Sequence, residues 1–466
     1  MARVLLLQAA IHDEHIERSP PLGLMYLASY LREHGGHEPT IYDLRLDYRR
    51  LDRVEDAIRR ARPDVVGISA QSPEAPVLHR LALLAKRHHP QAPVVAGGIH
   101  ATNYPDDTLA NDPHIDFVVP GEGEFAFADL VDALAAGRDP QSVAGVLYRA
   151  NGGVVHTPLR PVAPDPDVLP YPAWDLIDLG AYGRLPRIGL IYAHRRYMIV
   201  ETARACPFHC AWCHKTAGDV HRMHRPEYTI GEIEKLVREH RVGEITIIDD
   251  MFNFRTERVN AIFTGLIERG IHVPISVVNG LRADLLPDET LELMKRAGVY
   301  RVMYAIETAS PRLQKLMRKN LDFDKVHRAI DKAYALGILI HGNFIIGLPG
   351  EMEEEVNQTV RFAATSKIDT IGLYRAMPYK GCDLYRIAQE QGIPVPEGEA
   401  TFSFWDSDVN LSRVPVETLN RAKKRAYWQT YLRPRRMWRL LRLIPHKSRL
   451  LPFLFLFFIR KALRNN

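Results

Sequence analysis

Along the first 150 residues, short apolar runs alternate with stretches of helical period. The runs are "RVLLLQA", "PTIYDL", "DVVGISA", "APVVAGG" and "IDFVVPG". Between them lie segments such as "LGLMYLASYLREHG" and "APVLHRLALLAKRHHP", whose apolar residues recur every three to four positions. Nearly unbroken apolar strands separated by helices predict an α/β domain, a doubly wound parallel sheet over 1–150 that takes its ligand at the carboxyl ends of the strands. Those ends are rich in small and polar residues: Gln71 and Ser72 in "SAQS", Gly97, Gly98 and His100 in "GGIHAT", and Gly121, Glu122 and Gly123 in "GEGE". Glycine there lets a large ligand approach the backbone closely.

From 151 to 190 the pattern lapses into the proline-dense "HTPLRPVAPDPDVLPYPAWDLIDLGAY", which sustains neither a helix nor a central strand and predicts a linker. A second alternating series follows over 191–395: "RYMIVET", "EITIIDD", "HVPISVVNG", "YRVMYAIET", "LIHGNFIIGLPG" and "DTIGLYRAMP", with helical segments such as "TIGEIEKLVREHRV" between them. Six βα units predict a barrel or partial barrel with its chemistry at the C-terminal ends of the strands. Residues 396–466 predict a helical C-terminal region with a basic, aromatic tail.

The chain is 466 residues long, 46% hydrophobic and 25% charged, values of an ordinary folded protein rather than a disordered one. Four cysteines are too few for a disulfide-stapled secreted fold, and "MARVLLLQAAIHDEH" runs too quickly into charge to be a signal peptide, so a reducing cytoplasm is expected. Three of the four cysteines fall together in "ETARACPFHCAWCHKTAGDV", directly after the first strand of the second series. Structural zinc takes four protein ligands, and Cys206, Cys210 and Cys213 supply three; His209 or His214 could complete the set. A redox pair would use Cys210 and Cys213 and leave Cys206 idle. An iron–sulfur cube held by three thiolates suits the spacing better, because its fourth iron stays open to a ligand.

The CxxxCxxC spacing with the aromatic Trp212 resembles the signature of the radical S-adenosylmethionine (SAM) superfamily. The succession "PPLGLMYLASYL", "VGISAQS", "VVAGGIHAT", "DFVVPGEGE", "LPYPAWDL" and then this barrel resembles its cobalamin-binding class, from the start of the chain to about Val395. That class includes cobalamin-dependent methyltransferases and enzymes like the anaerobic magnesium-protoporphyrin ester cyclase. The resemblance implies a flavodoxin-like cobalamin domain, a partial (βα)6 barrel and three cofactors: a 4Fe-4S cluster on Cys206, Cys210 and Cys213, SAM, and cobalamin. It implies a SAM site formed by Trp212, Asp249 and Asp250 in "IIDDMF", Glu307 in "YAIETAS", and Gly347, Leu348 and Pro349 in "FIIGLPGE". Cobalamin would meet Gln71, Ser72, Gly97, Gly98, His100, Gly121, Glu122 and Gly123. In the loop where many cobalamin proteins carry DxHxxG, Asp13 and His15 keep their offset but Arg18 replaces the glycine, so His15 reads as a loop histidine rather than a cobalt ligand.

The activity implied is reductive cleavage of SAM to a 5′-deoxyadenosyl radical, used to methylate an unactivated carbon. An oxidative cyclase is the alternative within the class, and a cobalamin-sensing regulator the alternative outside it. An electron donor such as flavodoxin or ferredoxin is required. Cys382, in "PYKGCDLY", is expected to be a small semi-buried residue and not a cluster ligand.

Ten lysines and arginines and no acid lie between Arg433 and Asn466, around the apolar "PFLFLFF". The uncharged run from Leu450 to Ile459 is too short to cross a bilayer and too greasy for a nucleic-acid arm. It predicts peripheral contact with an anionic membrane and a lipophilic substrate.

Overall fold

The computed structural model describes residues 1–11, 19–47, 50–185, 191–213, 215, 218–395 and 409–447. His15, Asp13, Arg18, His214 and the apolar end of the tail therefore lie outside the described residues. Two compact units are present, one built mainly from Met1–Leu185 and the other from Pro186–Cys213, Met223–Val395 and Phe404–Asn466.

The first unit is a seven-stranded sheet in the order 2-1-3-4-5-6-7. Its first five strands, Arg3–Gln8, Glu38–Asp43, Val65–Ser69, Val94–Gly97 and Phe117–Val118, run parallel. Order 2-1-3-4-5 is the flavodoxin-like winding, with its switch point between the first and third strands. Both faces are covered. Leu5 and Leu7 of the first strand pack with Leu78 and Leu81, while Val4 and Leu6 pack on the other side with Leu24, Leu31 and Phe127.

The stretch read as a linker departs from expectation in two places. Leu147–Ala150 and Gly153–His156 form an antiparallel hairpin closing the sheet. Its turn is Asn151-Gly152, both at positive φ (51° and 78°), the backbone that a two-residue hairpin favours. The prolines that follow do not drape loosely. Ala173 N–H donates to the Met25 carbonyl (3.1 Å), Trp174 is buried, and the Tyr182 hydroxyl donates to Asp43 Oδ2 (2.6 Å).

The second unit carries six parallel strands: Tyr197–Val200, Glu244–Ile247, Ile275–Val277, Val299–Glu307, Leu339–Ile346 and Thr370–Arg375. They lie in sequence order with no pairing of sixth to first among the described residues, which is the expected partial barrel. The free edge of the sixth strand is closed by side chains. The N–H groups of Ile371 and Leu373 donate to the hydroxyls of Tyr431 and Tyr427 (3.1 and 3.2 Å), one turn apart on the helix Val416–Tyr431.

The helix Pro434–Leu443 changes the reading of the tail. Arg436, nearly buried, donates to the carbonyls of Thr430, Ala364 and Ser366. Arg439 pairs with Asp369 (2.8 Å) and lies over the Tyr334 ring at 3.7 Å. These two cations serve the barrel and not a lipid headgroup. Among the described residues no helix is long and apolar enough to cross a membrane.

Candidate functional site

The first barrel strand delivers the cysteine loop to the C-terminal end of the sheet, passing through Ala205 at a left-handed φ of 63°. Hydrogen bonds from Cys213 N–H to the Cys210 carbonyl (3.0 Å), from Ala211 N–H to Met317 and from Leu384 N–H to Ala211 fix its shape. Burial pushes the Cys213 thiol up to about 12, helped by Cys210, Cys206 and Asp250; Cys210 is raised for the same first reason. Thiols that resist ionisation together are ligands in waiting, since a bound cation reverses that balance. Among the described residues no three His, Cys, Asp or Glu converge tightly enough to hold one ion. A cube presents a separate iron to each thiolate and does not need such convergence, so these residues fit a cluster better than a single zinc.

Around the loop the structure assembles charges from several strands. Glu307 ends the fourth strand at φ 67°, beside a register shift against the fifth strand. A non-glycine residue in that region is held there at a cost, a pattern concentrated at functional sites. Its carboxylate is buried, its pKa raised by that burial, and its partner is Lys319 Nζ at 3.6 Å. Lys319 is itself buried and stands 5.6 Å from the centre of the Trp212 ring. Arg282 covers Phe208 at 4.3 Å and donates to the Lys319 carbonyl (3.0 Å). Lys319 and Arg282 both favour thiolate at Cys210. Neither was read from the sequence, where they are two among 61 lysines and arginines.

The paired acids at the end of the second strand part company. Asp249 is fully buried and accepts from Thr202 N–H and the Thr202 hydroxyl, both at 2.5 Å, tying the second strand to the first. Burial raises its pKa to about 6. Only Asp250 is exposed, on the side where it acts on Cys213, so the expectation of two SAM-facing acids narrows to one. In "GLPGE", Gly347 takes φ 79° and the turn is tied by Glu351, a residue passed over in the sequence, which accepts from Gly347 and Leu348 N–H (2.6 and 3.1 Å). Leu348 and Pro349 are buried, Leu348 in an apolar cluster with Ala211, Met317 and Cys382, against which Trp212 packs. Cys382 is thus a core residue, its thiol raised by burial.

At the strand ends of the first unit, Gly98 has φ 84°, and a Cβ there would stand 2.6 Å from Ser69 Oγ and 3.0 Å from the Ala70 backbone. Gly97 is extended at φ −148° and needs no special freedom. His100 is fully buried, its N–H donating to Ala70 O (3.0 Å). Thr102 joins two of the loops, donating to Gly98 O (2.8 Å) and accepting from Gly121 N–H (2.9 Å). Gln71 is turned to a local task, capping the turn that begins at Ser72 in exchange with Glu74. Glu122 is held by the Arg222 guanidinium (Nη1 at 3.0 Å). Gly97, Gly98, Gly121 and Gly123 form the small-residue rim that remains.

Comparison with known proteins agrees with this division. Residues 17–131 match the B12 binding domain and 200–363 the radical SAM superfamily. An uncharacterised methyltransferase of Pyrococcus horikoshii is 32% identical over 89% of this chain and 88% of its own. The anaerobic magnesium-protoporphyrin IX monomethyl ester cyclase of Rubrivivax gelatinosus is 30% identical over 82% of this chain and 69% of its own. The cobalamin-dependent SAM radical enzyme OxsB, solved with aqua-cobalamin and SAM bound, shares the fold at a TM-score of 0.74 and 16% identity, covering 98% of this chain and 75% of that one. The chain belongs to the cobalamin-binding radical SAM enzymes, in the family of their methyltransferases, with a 4Fe-4S cluster, SAM and cobalamin as its cofactors.

Proposed function

We propose that the protein transfers a methyl group to an unactivated carbon of a lipophilic substrate. When bound, the cluster and SAM supply the hydrogen-abstracting radical and cobalamin supplies the methyl group. The chain's own residues position and shield. Cys206, Cys210 and Cys213 hold the cluster, with Lys319 and Arg282 favouring thiolate at Cys210. Asp250 and the Glu307–Lys319 pair meet the charged and hydroxyl groups of SAM, while Trp212 and the turn at Gly347 and Pro349 border its flat ring. In the first unit Ser72, Gly97, Gly98, His100, Gly121 and Gly123 border cobalamin; Gln71 and Glu122 shape its loops.

The observation that carries methyl transfer is the nearly end-to-end match to a relative named a methyltransferase. The match to the cyclase favours a second reading, oxidative ring formation. Anaerobic turnover with deuterated-methyl SAM and a reducing flavodoxin or ferredoxin decides between them: a labelled methyl in the product supports transfer, and an oxidised or cyclised unlabelled product supports the second reading. The lipophilic substrate and contact with an anionic membrane rest on the tail, where Trp438 is 71% and Leu432 64% exposed among arginines.

A further inference from the structure

The Glu307–Lys319 pair joins two pieces of chain that are each held in an unfavourable backbone. Glu307 is the centre of a three-residue turn, closed by Thr308 N–H donating to Ile306 O (2.9 Å), at its left-handed φ of 67°. A three-residue turn with positive φ at its centre is the rare, strained form. Lys319 lies between Arg318 (φ 56°) and Asn320 (φ 49°), so its ammonium is presented by a second left-handed stretch. Asparagine tolerates that backbone and glycine adopts it freely, but Glu307 and Arg318 must be held in it.

One side chain grips both pieces. Gln314, on the helix Pro311–Leu316 that separates them, is 3% exposed. Its Nε2 donates to the carbonyls of Ile306 and Thr308 (2.9 and 2.6 Å), which bracket Glu307. Its Oε1 accepts from Leu321 N–H (3.2 Å), and its main-chain carbonyl accepts from Lys319 and Asn320 N–H (3.0 and 3.3 Å). Two carbonyls at one end and an N–H at the other leave the amide a single orientation, with both donors and the acceptor engaged.

The Lys319 turn is also held from the loop after the third strand. Besides the Lys319 carbonyl, Arg282 reaches Asn320 O (3.5 Å), and its remaining donors are committed to Asp284 (3.1 and 2.8 Å). Arg282 is itself set by Asn253, which accepts from its N–H and donates to its carbonyl (3.0 and 2.8 Å). Burying an amide and a guanidinium is costly unless every polar atom is paired. Much of the pairing here goes to the backbone around two residues, Glu307 and Lys319.

Resting on the reading that the Glu307–Lys319 pair faces SAM beside the cluster, we infer that Gln314 is the positioning residue of that site, with Arg282 as a second hold. It fixes carboxylate and ammonium against each other and keeps the cation at the cysteine loop. Once the grip slackens, the Lys319 ammonium gains by turning toward water, and the pair parts.

The test compares four forms of the full-length protein, reconstituted anaerobically with cluster and cobalamin: wild type, Gln314→Met, Lys319→Met and the double variant. Two quantities are read. One is the midpoint potential of the SAM-free cluster, titrated under electron paramagnetic resonance; the other is the dissociation constant of SAM, from equilibrium dialysis. A nearby cation stabilises the extra electron of the reduced cluster, so Lys319→Met should lower the potential. Gln314→Met should lower it in the same direction, weaken SAM binding about tenfold, and add nothing to either loss in the Lys319→Met background. Iron content certifies the fold. Where Gln314→Met fails that check, Gln314→Asn, one methylene too short to reach both pieces, should give smaller losses in the same pattern. A residue that only stabilises the barrel would leave the potential unmoved, or weaken SAM by the same factor with and without Lys319. Either result overturns the inference, as does a potential indifferent to Lys319→Met. SAM affinity unmoved by Lys319→Met, with the potential still following the pattern, removes the SAM contact of the pair and leaves the positioning role standing.

Discussion

Lys319 holds its ammonium 3.6 Å from the Glu307 carboxylate, and both groups are buried beside Trp212 and the cysteine loop. Removing the cation strands a carboxylate whose pKa burial already raises. Lys319→Met should therefore cost about 3 kcal/mol at neutral pH, and less at acidic pH, where protonation relieves the stranded carboxylate. Chemical denaturation at the two pH values checks this; a loss of equal size at both would show that the pair does not matter electrostatically.

Asp249 bears a raised pKa, about 6, against an ordinary value of 3.8. The folded state thus prefers the protonated acid, so the favourable contribution is complete below pH 4 and is lost as pH rises through 6, at a cost of about 3 kcal/mol. Asp249→Asn keeps an acceptor for Thr202 N–H and carries no charge. Its stability should stay flat between pH 4 and 6 relative to the wild type, and match or exceed it at pH 7. Parallel pH dependence in both proteins counts against the assignment.

Neighbouring glycines should answer differently to the same methyl group. Gly98→Ala forces a Cβ to 2.6 Å from Ser69 Oγ at φ 84°, so the loop must move and cobalamin should be lost, while iron content stays. At Gly97 the nearest atom is Val119 O at 3.5 Å. Gly97→Ala should fold as the wild type does, and any cobalamin it loses measures how closely the ligand approaches that backbone. Visible spectra and iron assays on both variants provide the comparison.

Alanine at Cys206, Cys210 or Cys213 should abolish the cluster and formation of 5′-deoxyadenosine. Cys382→Ser, in its apolar surroundings, should cost about 1 kcal/mol of stability and keep iron content. Iron retained without Cys210, or lost on the Cys382→Ser exchange, reverses the assignment.

In the tail, Arg436→Met should destabilise the second unit by about 2 kcal/mol, because three carbonyls lose their donor. Trp438→Ala should leave stability unchanged and weaken sedimentation with anionic vesicles. If Trp438→Ala sediments as the wild type does, the exposed face of this helix takes no part in membrane contact.

The alternation of strands and helices was legible because each strand is a separate apolar run and each crossover a separate amphipathic helix; the cysteine loop was legible because three rare residues share one short stretch of chain. The hairpin at Asn151-Gly152 was overlooked because the prolines after it dominated the composition. Lys319 and Arg282 were invisible for another reason: a cation acquires meaning only from what the fold sets beside it. The same holds for Asp249 and Asp250, adjacent in sequence and opposite in fate, and for the basic tail, where charge counted as one sum proved to include two arginines that work inside the structure.

The two phenols on the helix Val416–Tyr431 bear on how the protein avoids its own kind. A six-stranded sheet that stops short of closure leaves a row of amide donors that another chain could extend into a continuous ribbon. Tyr427 and Tyr431 occupy that row at Leu373 and Ile371, spaced by one helical turn to match alternate residues of the strand. The barrel can remain unclosed without becoming a template for fibrils.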